Sequence, residues 1–264
     1  ESISLKLTGI DSDEYTFRPQ KGEEAFTLKG EDLRSLIKRT CFAAKERPEM
    51  PILGGVRVMV SDGRLSFAGC DKSRTARVYG DSEFDGEFCV AIPSDRLNKT
   101  KELFEDDENV SISFVANQTI FSTPSTIVYL TNLEGEYPLI DRLLEVEPIA
   151  SFWIRTKDII AATKRIKAMA DNKQENVFIK ASPESVLFFG KSETGRIEET
   201  IESDQYEGQA MRVCLKASSV LDALDAIESD EARIQISNHV FLSNGDDGAI
   251  FQISPRLTHE EEWA

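Results

Sequence analysis

The residues able to do chemistry on their own are few: two histidines, four cysteines and one acidic run in 264 residues. His239 and His259 have no cysteine, aspartate or glutamate at metal-ligand spacing, the first at a strand edge and the second in a polar tail. Cys41, Cys70, Cys89 and Cys214 form no C-x-x-C pair. Each stands in an apolar stretch, where a thiol is expected to act as a small buried hydrophobe, as suits a reducing cytosol. The run Glu105-Asp-Asp-Glu108 follows a helix and leads into a strand, which reads as a solvated turn rather than a cation site. There is no P-loop, no G-x-G-x-x-G and no G-x-S-x-G. Bond-making chemistry is therefore not the expectation, and no metal or cofactor is called for. What is left is binding.

The elements that must position any binding residues repeat. A short strand, an amphipathic helix and three short strands recur four times, so the expected fold class is α+β with antiparallel sheets. Phe26-Thr-Leu-Lys-Gly-Glu-Asp-Leu33 matches Phe152-Trp-Ile-Arg-Thr-Lys-Asp-Ile159 in type at nearly every position. Phe88-Cys-Val-Ala-Ile92 enters a helix from Asp95 to Phe104, and Met211-Arg-Val-Cys-Leu215 enters one from Ser219 to Ile227. In the first helix Leu33, Leu36, Ile37, Cys41 and Ala44 share one face, and Pro48 is the expected stop. In the second, Ser94 or Asp95 is the expected cap, with Leu97, Leu103 and Phe104 inside. Ser61-Asp-Gly-Arg64 is a hairpin signal, because Asp-Gly accepts positive φ. Residues 1–20 read as strand, turn, strand. The predicted organisation is a hairpin and connector over 1–24, one double unit over 25–148, and a second over 149–264 whose last strand runs to Leu257 before a short acidic tail.

Composition narrows the function. Hydrophobic residues make up 40% and charged residues 30%, enough for cores and a hydrated surface. No apolar run is long enough for a membrane-spanning helix, and no signal-peptide pattern opens the chain. The net charge of −16 argues against ordinary high-affinity DNA binding, which requires neutralising phosphates. It leaves room for basic residues gathered on one face.

Four words, in order, carry a resemblance. They are Arg47-Pro-Glu-Met-Pro-Ile-Leu-Gly-Gly-Val56, Ala68-Gly-Cys-Asp-Lys-Ser-Arg-Thr-Ala76, Glu136-Tyr-Pro-Leu-Ile-Asp-Arg-Leu-Leu144 and Ile253-Ser-Pro-Arg-Leu257. Together with Val220-Leu-Asp-Ala-Leu-Asp-Ala226 they resemble the bacterial DNA polymerase III beta subunit family, the replicative sliding clamps, across residues 25–257. The corresponding family words are R-P-I-L-x-G-V, A-T-D-x-x-R-L-A, F-P-D-Y-x-R-V-L-P and P-x-R-L. The resemblance implies the DNA-clamp fold, here its middle and last domains, with helices on the inner side. It also implies a non-enzymatic processivity factor of bacterial or phage replication. Such a factor encircles duplex DNA and tethers the replicative polymerase, the clamp loader and repair proteins through short hydrophobic peptides. A second reading is a clamp-like interaction scaffold that does not encircle DNA.

The resemblance also implies sites. The DNA-facing set is Arg34, Lys38 and Arg39 on the first helix, Arg96 and Lys99 on the second, Lys164 and Arg165 on the third, and Lys216 before the fourth. The client-peptide pocket maps to Leu53, Cys70, Lys72, Ser73, Arg74, Thr75, Pro138, Arg142, Leu143, Ile253, Pro255 and Arg256. Cys70 stands where the family usually has Thr, Lys72 where it has Gly, Ser73 where His is common, and Thr75 where it has Leu. Trp263, in a tail longer than usual, is placed to reach toward the pocket. Ala168 and Met169 fall where family subunits meet. Family chains carry three clamp domains and close as dimers, so residues 1–20 read as the last hairpin of a first domain. A fragment lacking that domain is expected to be a monomer, and a complete two-domain chain would close a ring with three head-to-tail copies.

Overall fold

A computed structural model describes residues 4–9, 11, 22–81, 84, 86–145, 147–170, 175–245 and 248–263. Four units of one plan follow in order. The first is β1 (Glu23–Lys29), α1 (Gly30–Cys41), β2 (Gly55–Ser61), β3 (Arg64–Cys70) and β4 (Arg74–Gly80). The second is β5 (Phe88–Pro93), α2 (Ser94–Thr100), β6 (Asn109–Val115), β7 (Gln118–Ser122) and β8 (Ile127–Thr131). The third is β9 (Ala150–Arg155), α3 (Thr156–Met169), β10 (Asn176–Ser182), β11 (Ser185–Ser192) and β12 (Gly195–Ile201), followed by an added strand, β13 (Asp204–Gly208). The fourth is β14 (Met211–Lys216), α4 (Ala217–Asp225), β15 (Glu231–Ile236), β16 (Val240–Ser243) and β17 (Ile250–Ile253).

Local chemistry accounts for these elements. Leu33, Leu36 and Ile37 put one face of α1 into the core, at helical spacing. Asp62 and Gly63 both have positive φ, 51° and 70°, and close a two-residue turn between paired Ser61 and Arg64. The helix starts have no side-chain caps. In three of them another unit supplies a backbone carbonyl. Gly30 N donates to Glu108 O (2.9 Å), Thr156 N to Asp230 O (2.8 Å) and Ala217 N to Glu175 O (2.8 Å). The acidic run Glu105–Glu108 is thus a wrap around the start of α1, and it passes so close that a Cβ at Gly30 would lie 1.9 Å from Glu105 O.

The units exchange their first strands. β1 pairs with β6 of the second unit, and β5 pairs with β2 of the first. In the same way β9 pairs with β15, and β14 with β10. Described pairings are all antiparallel and build three sheets, β1-β6-β7-β8, β12-β11-β10-β14 and the nine-stranded β13-β9-β15-β16-β17-β4-β3-β2-β5. The long sheet crosses from one half of the chain to the other where β17 pairs with β4. One buried apolar cluster runs through both halves. Helices follow the same continuity. α1 packs on α2 and α3 on α4. Arg39 of α1 reaches the carbonyl of Ala226 just past α4, so the row reads α2-α1-α4-α3.

Several sequence expectations are corrected. α1 ends at Cys41, before Ala44, because two tight backbone bonds (Ala43 N to Thr40 O and Ala44 N to Cys41 O) turn the chain there. α2 ends at Thr100 and continues as a 3-10 turn that leaves Leu103 53% exposed, while Phe104 is buried. β17 stops at Ile253, short of Leu257. Cys89 is exposed, whereas Cys41, Cys70 and Cys214 are buried. Residues 4–9 carry no strand, with Leu5 and Leu7 exposed. The rest of the expected first hairpin, beyond residues 4–9 and 11, lies outside the described residues.

Candidate functional site

The β4–β17 junction brings most of the pocket residues together. Ile253 lies opposite Arg74, Gln252 lies opposite Thr75, and Ser254 N donates to Ser73 O at 2.7 Å. The turn before β4 is tied by Asp71. Its Oδ1 accepts from Ser73 N (3.0 Å), Ser73 Oγ (2.6 Å) and Arg74 N (3.1 Å). This turn holds Lys72 at φ 68°, in the left-handed region. That is the physical reason the position suits glycine. Arg74 spans the junction, 3.4 Å from Asp71 and 2.5 Å from Asp222 on α4.

Leu53 and Cys70 are both buried beneath the turn. They are 2% and 6% exposed, packed with Ile52, Ala68, Tyr137 and Ile140. The Tyr137 hydroxyl donates to Gly55 O (3.2 Å) and Ala68 O (3.3 Å), and burial pushes both its pKa and that of the Cys70 thiol upward. The rim is the 3-10 turn Ile140–Leu143, which exposes Arg142 and leaves Leu143 48% exposed, beside Pro138 and the 63% exposed Leu139. Asp141 clamps this turn to the sheet, accepting from Arg57 (2.8 and 3.3 Å) and from Arg77 (3.0 Å). Burial raises the Asp141 pKa, but the two guanidinium groups more than offset it, so the carboxyl lies below its usual value. Pro255 and Arg256 follow β17 and are half-buried. Arg256 N donates to Cys214 O (2.8 Å), and its guanidinium bonds Asn176, which turns that side chain toward β10 and β14. The chain then leads Trp263 away from the groove, onto Phe178 and Phe189, contrary to the expectation that it reaches the pocket.

The basic helix residues divide into two groups. Arg39 is 7% exposed, and its Nε donates to Ala226 O at 2.8 Å, so it is largely buried and serves the packing of α1 against the end of α4. Arg34 bonds the carbonyls of Lys101 and Phe104 and pairs with Asp106. Lys38 pairs with Glu228 at 3.1 Å, and Arg165 makes a two-pronged contact with Glu199. By contrast Arg96, Lys99, Lys164 and Lys216 are exposed, and none of the four is in a described ion pair. Among them the four helices carry nine Lys or Arg against six Asp or Glu, in a chain with 31 against 47. Ala168 is exposed and Met169 half-buried at the end of α3.

Asp71, Tyr137, Asp141 and Asp222 tie these residues together without having been singled out by the sequence. Asp71 had a visible signal, an aspartate two residues before a serine in a turn. Asp222 had none, since its partner is 148 residues away. No group of three or more ligating side chains arranged for a metal ion occurs among the described residues. No helix there is long and apolar enough to cross a membrane. A cavity of about 860 Å³ lies apart from the groove, beside Trp153, Lys157 and Asp230.

Paired βαβββ units with exchanged strands, an unbroken sheet through their junction and a row of helices define a DNA-clamp fold. Family models of the DNA polymerase III beta subunit match the chain twice, the central domain over residues 27–139 and the C-terminal domain over 142–251. The chain is 28% identical to the "Beta sliding clamp" of Halalkalibacterium halodurans, covering 98% of this chain and 71% of the relative. It is 29% identical to that of Bacillus subtilis, covering 88% and 64%. The crystal structure of the Bacillus subtilis DNA polymerase sliding clamp superposes with a TM-score of 0.90 at 26% identity, over 95% of this chain and 69% of that one. The chain belongs to the DNA polymerase III beta subunit family. It spans about two thirds of the length of these relatives.

Proposed function

We propose that this chain is a processivity clamp that encircles duplex DNA and tethers the replicative polymerase, clamp loader and repair proteins, with no catalytic site of its own, in the cytoplasm. Its clamp domains are 25–148 and 149–264, and its client groove is the β4–β17 junction with the rim at Pro138–Leu143. The observation that carries this reading is the helix row α2-α1-α4-α3, joined at its middle by Arg39 and Lys38 of α1 to Ala226 and Glu228 just past α4, behind a sheet that crosses the junction. Repeating such a junction builds a ring lined by helices. The repeat also names the edges available for closure. β8 and β12 end their sheets, and they are the equivalents of β17 and β4, the strands that join at the junction. Encirclement does not require tight binding, so a few exposed cations such as Arg96, Lys99 and Lys164 suit sliding, and the chain's −16 charge is no obstacle.

The test is retention on DNA in the assembly in which the chain works. Loaded onto closed circular duplex, it should stay bound through a salt wash and leave when the circle is linearised. Equal loss from circular and linear DNA, with client peptides still bound, would instead establish a scaffold that does not encircle.

A further inference from the structure

The outer face of the β12-β11-β10-β14 sheet holds a small aromatic site. Phe178 and Phe189 stack at 4.9 Å on the side turned away from α3, beside Cys214. Trp263 stands edge-on against both rings, at 5.0 and 5.9 Å, and is 8% exposed. Two cations flank the site, and a third, Arg196, stands at its edge paired with Glu198. Lys180 Nζ donates to Trp263 O (3.0 Å), Arg212 pairs with Glu260 (2.8 Å), and Arg196 lies 4.4 Å over the Phe189 ring. The occupying segment is otherwise exposed: His259, Glu260 and Glu261 face solvent, and the indole N–H is met by Thr258 within the same segment (3.0 Å).

The fold uses this face twice. Phe178 lies between Phe189 and Cys214, as Arg57 lies between Ala68 and Ala91 in the equivalent strands β2, β3 and β5. In the first half, the face is covered by the segment that carries Tyr137 and Ile140 and is fixed by Asp141 to Arg57. In the second half, Trp263 covers it. At both places a segment that ends in a 3-10 turn is held by one or two large side chains and a charged contact at the edge.

We propose that the Phe178–Phe189 face is a second peptide-binding site, separate from the groove, selective for an acidic segment of a partner protein that carries one tryptophan, and that residues 258–263 occupy it in cis. Charge complementarity selects the class: Lys180 and Arg212 flank the rings and Arg212 pairs with Glu260 of the bound segment, while Arg196 at the edge is already paired with Glu198. A tether this short holds the tail at an effective concentration on the order of millimolar, so the tail screens the site against weak ligands and yields to a stronger or more abundant one.

The test uses the full chain with Trp263→Ala, which empties the site without removing any segment, and a labelled peptide of sequence Thr-His-Glu-Glu-Glu-Trp-Ala. Saturable binding to this variant is expected, weakened by salt and by Arg212→Glu, an exposed substitution that leaves the core untouched. The unsubstituted chain should bind the same peptide about tenfold more weakly, because its own tail competes. No binding to a folded Trp263→Ala variant, or equal binding of a peptide with alanine for tryptophan, would overturn the proposal. So would concentration-dependent dimers of the unsubstituted chain that vanish in Trp263→Ala, since the site would then serve tail exchange between copies.

Discussion

Arg74 of β4 and Asp222 of α4 meet at 2.5 Å across the junction of the central and C-terminal domains, 148 residues apart in sequence. The contact sits beside the β4–β17 pairing and above a core that runs unbroken through both domains. The junction is therefore built as the interior of a fold rather than as a contact between two independent ones. A single cooperative thermal transition is expected, read by calorimetry. Asp222→Ala should cost only about 0.5–1 kcal/mol, because the carboxylate is partly exposed and Arg74 keeps Asp71.

Asp141 is a more costly loss. Asp141→Asn leaves the Arg57 guanidinium, whose side chain is 4% exposed, without its counter-charge. Destabilisation of about 2–4 kcal/mol is expected in denaturant unfolding. Client-peptide affinity should fall too, because the rim turn bearing Arg142 and Leu143 loses its anchor.

The same carboxylate sets an acid limit. Its folded pKa lies below the usual value of 3.8, so the unfolded chain takes up the proton first as pH falls. The stabilisation is complete above about pH 5 and fades as pH drops through the depressed folded value. The stability gap between the unsubstituted protein and Asp141→Asn should be constant from pH 5 to 8 on the order of experimental error and narrow below about pH 4. A gap unchanged at pH 3 would show that Arg57 and Arg77 are not what Asp141 serves.

Lys72→Gly should stabilise the protein. The φ of 68° strains a side chain that bears a Cβ, and the Glu49 partner at 3.9 Å is exposed and contributes little. Glycine removes the strain but adds freedom to the unfolded chain, leaving a net gain of about 0.5–1 kcal/mol, measurable as a shift in the denaturation midpoint.

Two substitutions on different helices of the row separate DNA contact from structure. Lys164→Gln should lower the salt slope of DNA binding by about one unit and leave stability unchanged. Arg39→Gln should do the reverse, because Arg39 spends its charge on the Ala226 carbonyl. A salt slope that falls for Arg39→Gln would return that residue to the DNA-facing set.

The sequence by itself determined the four βαβββ units, since local periodicity and turn chemistry suffice for that. Leu33, Leu36 and Ile37 mark a helix face wherever the helix packs, and Asp62-Gly63 closes its hairpin without distant help. The family words likewise span Cys70, Lys72 and Arg74, which the structure sets in one turn at the start of β4, and the fit of glycine at position 72 has its cause in a local φ. The tertiary structure alone decided the rest, because each of those features depends on partners far apart in the chain. The exchange of first strands, the junction of β4 with β17 and the backbone carbonyls that replace helix caps are all non-local pairings. Arg39 and Lys38 are adjacent and read alike. Only the arrival of Ala226, 187 residues on, buries one and leaves the other in water. Trp263 is a single aromatic in a polar tail and carries no periodicity, so its place on Phe178 and Phe189 was settled by the sheet that offered two rings and flanking cations to receive it.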